Sequence, residues 1–239
     1  MASKPIRRLV LLRHAKSAWP DLPDHDRPLA GRGRGDAPVM GRWLQDTGCI
    51  PDLVWCSTAE RATQTWRLAA AELGADPPVS YEPRLYGATA GELANLIRQA
   101  PPRTTTLLLV GHNPGIQDLA LTLSATTADD TAVASENTAS ENTVGENAAV
   151  AGENTAGGNT AGGNTAAAGE NTAGGNTAGE DTAGRTATRE DPAAALLDRA
   201  AIKFPTAAIA VLEFGGDWPD LSTGSARLVT FVVPRELGR

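Results

Sequence analysis

Two cysteines, three histidines and ten aromatic residues in 239 positions exclude several classes of protein at once. Cys49 and Cys56 are too few for a disulfide framework, and their spacing does not fit a zinc site. As plain core or near-surface thiols they suit a reducing compartment. Long apolar runs are missing too. Residues 1–8 are short and basic, but only four strongly apolar residues follow, too few for a signal peptide, and no stretch approaches membrane-spanning length. The expectation is a cytoplasmic protein without a membrane partner.

A further shortage is local. Residues 125–190 contain no Leu, Ile, Met or aromatic residue, and are almost wholly Ala, Gly, Thr, Asn and Glu. Asn-Thr or a near variant recurs on a five-residue beat, at Asn137 and Asn142, at Asn154, Asn159 and Asn164, and at Asn171, Asn176 and Asp181. A five-residue solenoid needs a bulky apolar residue in each turn, and this repeat offers only Ala or Thr. It cannot bury enough surface to offset its ordering entropy, so it reads as a disordered insert. The formal net charge of −7 sits there: the segment holds ten acidic residues and two arginines, which leaves the remainder close to neutral. Without a basic excess, nothing suggests nucleic acid. The domain expected to fold is therefore 1–124 joined to 191–239, about 173 residues, enough to bury a real core.

What is present is a set of apolar runs that end in polar motifs. Leu9-Val10-Leu11-Leu12 stops at Arg13-His14-Ala15, and Leu107-Leu108-Leu109-Val110 stops at Gly111-His112-Asn113-Pro114. Unalternating runs of this kind fit strands covered on both faces. Strands are expected at 6–12, 52–56, 79–81, 105–110, 207–214 and 227–233. Helices are expected at 31–47, from Ser57 to about 73, at 92–99, 115–124 and 192–201. Ser57-Thr58-Ala59-Glu60 matches a capping box at the start of the second helix. Strands alternating with helices argue for an α/β protein with a mainly parallel sheet, the last two strands forming an antiparallel pair.

In such a sheet ligands bind at the carboxyl ends of the strands. Two of the three histidines sit just past strand ends. Arg13 ends a buried strand and needs an anion or a carboxylate partner. Arg61 falls in the first turn of a helix, where free N–H groups favour anions. Arg27, in the loop after the first strand, could reach the same edge. Bidentate guanidiniums suit phosphate oxygens, and neighbouring cations keep an imidazole neutral and nucleophilic. Together these residues describe phosphoryl transfer through a phosphohistidine, with no metal or cofactor required. Gly31-Arg32-Gly33-Arg34-Gly35 follows no strand and lacks the Lys-Ser/Thr of a phosphate-binding loop. His25, between Asp24 and Asp26, reads as a solvated loop residue that could sit at the pocket rim.

Arg13-His14-Ala15, the stretch from Ser57 to Thr65, and Gly111-His112-Asn113-Pro114-Gly115 resemble the histidine phosphatase superfamily. Asp26-Arg27-Pro28-Leu29, Leu85-Tyr86-Gly87 and Phe204-Pro205-Thr206-Ala207 are similar to its small SixA-type phosphohistidine phosphatase branch. The resemblance covers 6–124 and 192–235. It implies a three-layer α/β/α sandwich. It also implies His14 as nucleophile, Arg13 and Arg61 as phosphoryl ligands, His112 as a second donor and Arg27 as a pocket residue. The substrate would be a phosphorylated protein or small molecule, and the enzyme a monomer. Two features depart from the pattern. Ala15 stands where many relatives have Gly. The acid of mutase-like relatives aligns with Pro83, leaving neighbouring Glu82 as the candidate general acid. A phosphoglycerate mutase-like enzyme and a non-catalytic phosphate-binding module are the alternatives.

Overall fold

The structure is a computed structural model, and it describes residues 4–125 and 192–238. The asparagine-threonine repeat read above as disordered lies outside the described residues.

Six strands form one mixed sheet. In chain order they are β1 (Ile6–Arg13), β2 (Leu53–Cys56), β3 (Val79–Tyr81), β4 (Thr106–Gly111), β5 (Ile209–Gly215) and β6 (Arg227–Val232), and their order across the sheet is β3-β2-β4-β1-β5-β6. The first four strands pair in parallel; β5 runs antiparallel to β1 and β6 antiparallel to β5. The helices are α1 (Gly31–Asp46), α2 (Glu60–Ala70), α3 (Ala90–Ile97), α4 (Gly115–Ser124) and α5 (Pro192–Ile202).

The side-chain alternation of β1 shows the layering. Leu9 and Leu11 enter one apolar cluster with Leu93, Ile97, Leu119 and Ala200, from α3, α4 and α5. Val10 and Leu12 enter the other with Met40, Leu44 and Trp66, from α1 and α2. Helices therefore cover both faces, which is why β1 and β4 carry apolar residues without alternation. The three-layer α/β/α sandwich is the observed architecture.

Two glycines set close approaches between layers. A Cβ on Gly41 would lie 2.1 Å from the Ala69 carbonyl oxygen, so α1 and α2 touch backbone to backbone. A Cβ on Gly33 would lie 2.1 Å from the Lys16 carbonyl oxygen. The glycine-rich start of α1 thus makes room for the loop after β1 instead of cradling a phosphate.

Both ends of α2 differ from the sequence expectation, and α3 runs two residues earlier than expected. α2 begins at Glu60 with Ala59 as N-cap and no side-chain cap hydrogen bond. The anticipated capping box is absent because Ser57 Oγ lies 2.8 Å from His112 Nε2, and Glu60 Oε1 instead accepts from Gln64. α2 also ends three residues early. Glu72 and Leu73 donate to the carbonyls of Ala69 and Ala70, tightening the last turn, so Leu73 stays buried although α-helical bonding has stopped. The realised capping box belongs to α3, where Thr89 and Glu92 bond reciprocally.

α4 and α5 are complete elements packed against each other, with Gln117 Nε2 donating to the carbonyls of Ala200 and Ala201. The segment between them is thus expected to be dispensable. Loop-closure entropy grows only slowly with length, so replacing residues 126–191 by a flexible linker of about ten residues should raise the melting temperature by only about 3–6 °C. Thermal unfolding followed by circular dichroism checks this; a loss of about 10 °C or more would show that the segment contributes to the fold.

Candidate active site

The sheet order places the site. β1 and β4 are parallel neighbours with Arg13 opposite Gly111, so His14 and His112 leave the sheet side by side. α1 after β1 packs on one face and α4 after β4 on the other. The chain parts to opposite faces here, which opens a crevice at the carboxyl ends of the two strands. The imidazole centroids of His14 and His112 are 5.0 Å apart.

His14 Nδ1 lies 2.8 Å from the Ala15 carbonyl oxygen. A carbonyl only accepts, so Nδ1 carries the hydrogen and Nε2 keeps its lone pair. Burial is the main cause of a His14 pKa pushed down to about 4, and Arg61, Arg13 and Arg27 lower it further against the opposing Ala15 hydrogen bond. His112 is pushed down to about 3, by burial first and then by His14 and Arg61. Both rings are therefore neutral at pH 7. Ala59 N–H donates to Ser57 Oγ at 3.4 Å, and the same oxygen lies 2.8 Å from His112 Nε2. His112 Nδ1 is buried without a hydrogen-bond partner.

Three guanidiniums surround the pair. Arg13 donates from one terminal nitrogen to the Phe204 carbonyl at 2.6 Å, while its Nε is buried without a partner. Ala207, at φ 61°, donates its N–H to the carbonyls of both Arg13 and His14 and so locks the end of β1. Arg61 and Arg27 are buried, and both bind Asp24. Arg61 donates to the Asp24 carbonyl at 2.6 Å and to Oδ2 at 3.0 Å. Arg27 donates to Oδ1 at 2.7 Å, to Ser17 Oγ at 2.7 Å and to the Ala18 carbonyl at 3.0 Å. Tyr86 O–H also donates to Asp24 Oδ2, at 2.7 Å. The Tyr86 hydrogen bond, followed by those from Arg27 and Arg61, holds the Asp24 carboxyl far below the usual carboxylate range.

The other α2 motif residues anchor the loops. Thr65 Oγ1 accepts from Ala15 N–H at 2.9 Å and donates to the Arg61 carbonyl. Gln64 Oε1 accepts from Leu29 N–H, holding the loop that carries Arg27. His25 is at the rim, with Nε2 3.0 Å from Thr58 Oγ1 and its ring 5.0 Å from that of Tyr86.

The structure thus gathers His14, His112, Arg13, Arg61 and Arg27. It does not bring Glu82 to them. Glu82 accepts from Arg84 Nε at 2.9 Å and from a terminal nitrogen at 2.6 Å, and those bonds lower its pKa. A carboxylate held ionised in this way is a poor proton donor. The sequence reading missed Asp24 and the pairing of Ser57 with His112. The only signal for Asp24 was its place three residues before Arg27, where a 3₁₀ turn brings the two together. Among the described residues no group of three or more His, Cys, Asp and Glu side chains is placed to hold a metal ion.

Residues 9–113 match the model of the histidine phosphatase superfamily (branch 1). An uncharacterized protein of Mycobacterium tuberculosis (strain H37Rv) is 35% identical over 225 residues, covering 94% of this chain and 100% of the relative. A structure from Nakamurella multipartitia that bears the name phosphohistidine phosphatase SixA superposes with a TM-score of 0.62 at 26% identity, covering 98% of this chain and 99% of that one. A 2,3-bisphosphoglycerate-dependent phosphoglycerate mutase of Bifidobacterium longum (strain DJO10A) is 35% identical over 103 residues, covering 38% of this chain and 41% of the mutase.

The depressed histidine pKa values have a consequence for pH dependence. If neutral His14 is the reactive form, the acid limb of kcat/KM, corrected for substrate ionisation, should fall near pH 4, not near the ordinary histidine value of 6.5. A pH–rate profile with a limb near 6.5 would show that the ring is not desolvated as found here.

Proposed function

This chain belongs to the histidine phosphatase superfamily, on its SixA-type branch, and we propose on that premise that it hydrolyses phosphoryl groups through a phosphohistidine formed on His14. One observation carries the reading: the Nδ1–H bond to Ala15 aims a neutral Nε2 lone pair into a crevice edged by Arg13, Arg61 and Arg27.

Nε2 attacks phosphorus, and the bond from phosphorus to the leaving group breaks with its electron pair on the leaving group. The guanidiniums meet the charge on the transferring oxygens. In the tautomer in which Ser57 donates to Nε2 of His112, Nδ1 carries the hydrogen, and a phosphoryl oxygen supplies the acceptor which that buried group lacks. Water then attacks the phosphohistidine, the bond from phosphorus to Nε2 breaks, and inorganic phosphate leaves.

The substrate class follows from the proton inventory. Glu82 is committed to Arg84, and Asp24 is held ionised by Tyr86 and two arginines. Neither is a ready acid for an alkoxide. A phosphoramidate such as phosphohistidine can protonate its own second ring nitrogen and depart as neutral imidazole. We therefore favour phosphohistidine in a protein over alkyl phosphates. The similarity to a phosphoglycerate mutase keeps transfer between sugar-acid positions as the competing reading. The free, buried thiols of Cys49 and Cys56 fit a reducing cytoplasm, and a monomer without nucleic-acid partners is the assembly proposed.

Brief reaction with a phosphoramidate donor should label the wild-type protein with acid-labile, base-stable phosphate, and His14→Ala should abolish both label and turnover. Without a dedicated acid, aryl phosphates should turn over about 100-fold or more faster than glycerol phosphate. Undiminished turnover in His14→Ala would overturn the mechanism, and equal rates on the two esters would overturn the substrate preference.

A further inference from the structure

The Arg27–Asp24–Arg61 bridge is lopsided. The side chains of Arg27 and Arg61 are each 8% exposed, whereas that of Asp24 is 52% exposed. The two cations are buried and braced. Arg27 also donates to Ser17 and Ala18, and Arg61 also donates to the Asp24 backbone carbonyl. The carboxylate sits on a three-residue 3₁₀ turn, Asp24–Asp26, with no buried residue. If the bridge opens, the anion is the partner that moves. One carboxylate spanning two guanidiniums also uses the donors that two phosphoryl oxygens would use.

We propose that Asp24 is an exchangeable internal counter-ion: its carboxylate occupies Arg27 and Arg61 in the free protein, yields them to the phosphoryl group of the substrate, and returns as inorganic phosphate departs. The proposal rests on the phosphoryl-transfer reading given above. Two buried guanidiniums without an anion would carry a large uncompensated desolvation cost, and Asp24 removes it between turnovers. Because it belongs to the same chain, three residues before Arg27, it competes with phosphate at a high effective concentration. Product is thereby displaced from a pocket whose three arginines would otherwise retain it. Tyr86 steadies the carboxylate in the occupied state through its hydrogen bond to Oδ2.

The test is calorimetric binding of inorganic phosphate to the wild type, Asp24→Asn and Asp24→Ala, with melting curves as the control for folding. Removing the internal competitor should tighten phosphate binding by about tenfold, with a lower KM and a lower kcat as release slows. Phosphate bound equally or more weakly by both folded variants overturns the proposal. Should either variant fail to fold, Tyr86→Phe gives an independent reading. It loosens the carboxylate, so phosphate should bind about two- to fivefold more tightly, and unchanged or weaker binding overturns the proposal. No phosphate binding by any of these proteins would instead overturn the phosphoryl-site reading beneath it.

Discussion

The parallel register of β1 against β4 is the constraint on which the site depends. It sets Arg13 beside Gly111, and so puts two residues nearly a hundred positions apart, His14 and His112, at the same height on one sheet edge. A slip of one residue would turn every side chain of β1 to the other face. The slip is opposed from both sides. Leu9 and Leu11 are fully buried in one cluster, and Val10 and Leu12 in the other. Because β1 also pairs with β5 over seven positions, the histidine is fixed by three strands and not by one turn. Packing of the core thus sets the distance between the two imidazoles.

That same burial determines the chemistry. An imidazole in water would be partly protonated near neutral pH. Here the crevice removes solvent from both rings, and the arginines add repulsion, so the neutral form dominates. Arginines gathered at the crevice and a histidine kept unprotonated are two results of one arrangement. The cations need an anion whenever the crevice is empty, and the loop carrying Asp24 provides one. On the reading proposed above, the Asp24 carboxylate acts through charge and not through proton donation.

Much of this was legible in the residues because it rested on local pattern. Six strands, the burial of β1 and β4 on both faces, and the gathering of Arg13, His14, Arg61 and His112 follow from apolar runs that end in polar motifs. What escaped depended on the partner each side chain finds. Ser57 carries the signature of a helix cap, yet its hydroxyl is held by His112, 55 residues away, and α2 begins without a side-chain cap. Glu82 stands near the right place in the chain, but Arg84, two residues on, turns its carboxylate into an ion pair. In both cases the deciding partner, far along the chain for Ser57 and two residues on for Glu82, is one that no periodicity announces.

The exceptions to ordinary folding rules are not scattered. α2 forgoes a cap that would contribute about 1 kcal/mol. Ala207 alone among the described non-glycine residues takes a positive φ, in a conformation that costs on the order of 1 kcal/mol without a compensating contact. Of the four buried side-chain polar atoms described as unpartnered, three belong to Arg13, His112 and Asn113. All of these lie where β1, β2 and β4 end, while the sheet behind them is packed by apolar residues that obey pattern and propensity. Strain and unmet hydrogen bonds concentrated at one edge identify that edge as the part of the molecule shaped for a bound group, a conclusion that stands on the geometry without any appeal to relatives.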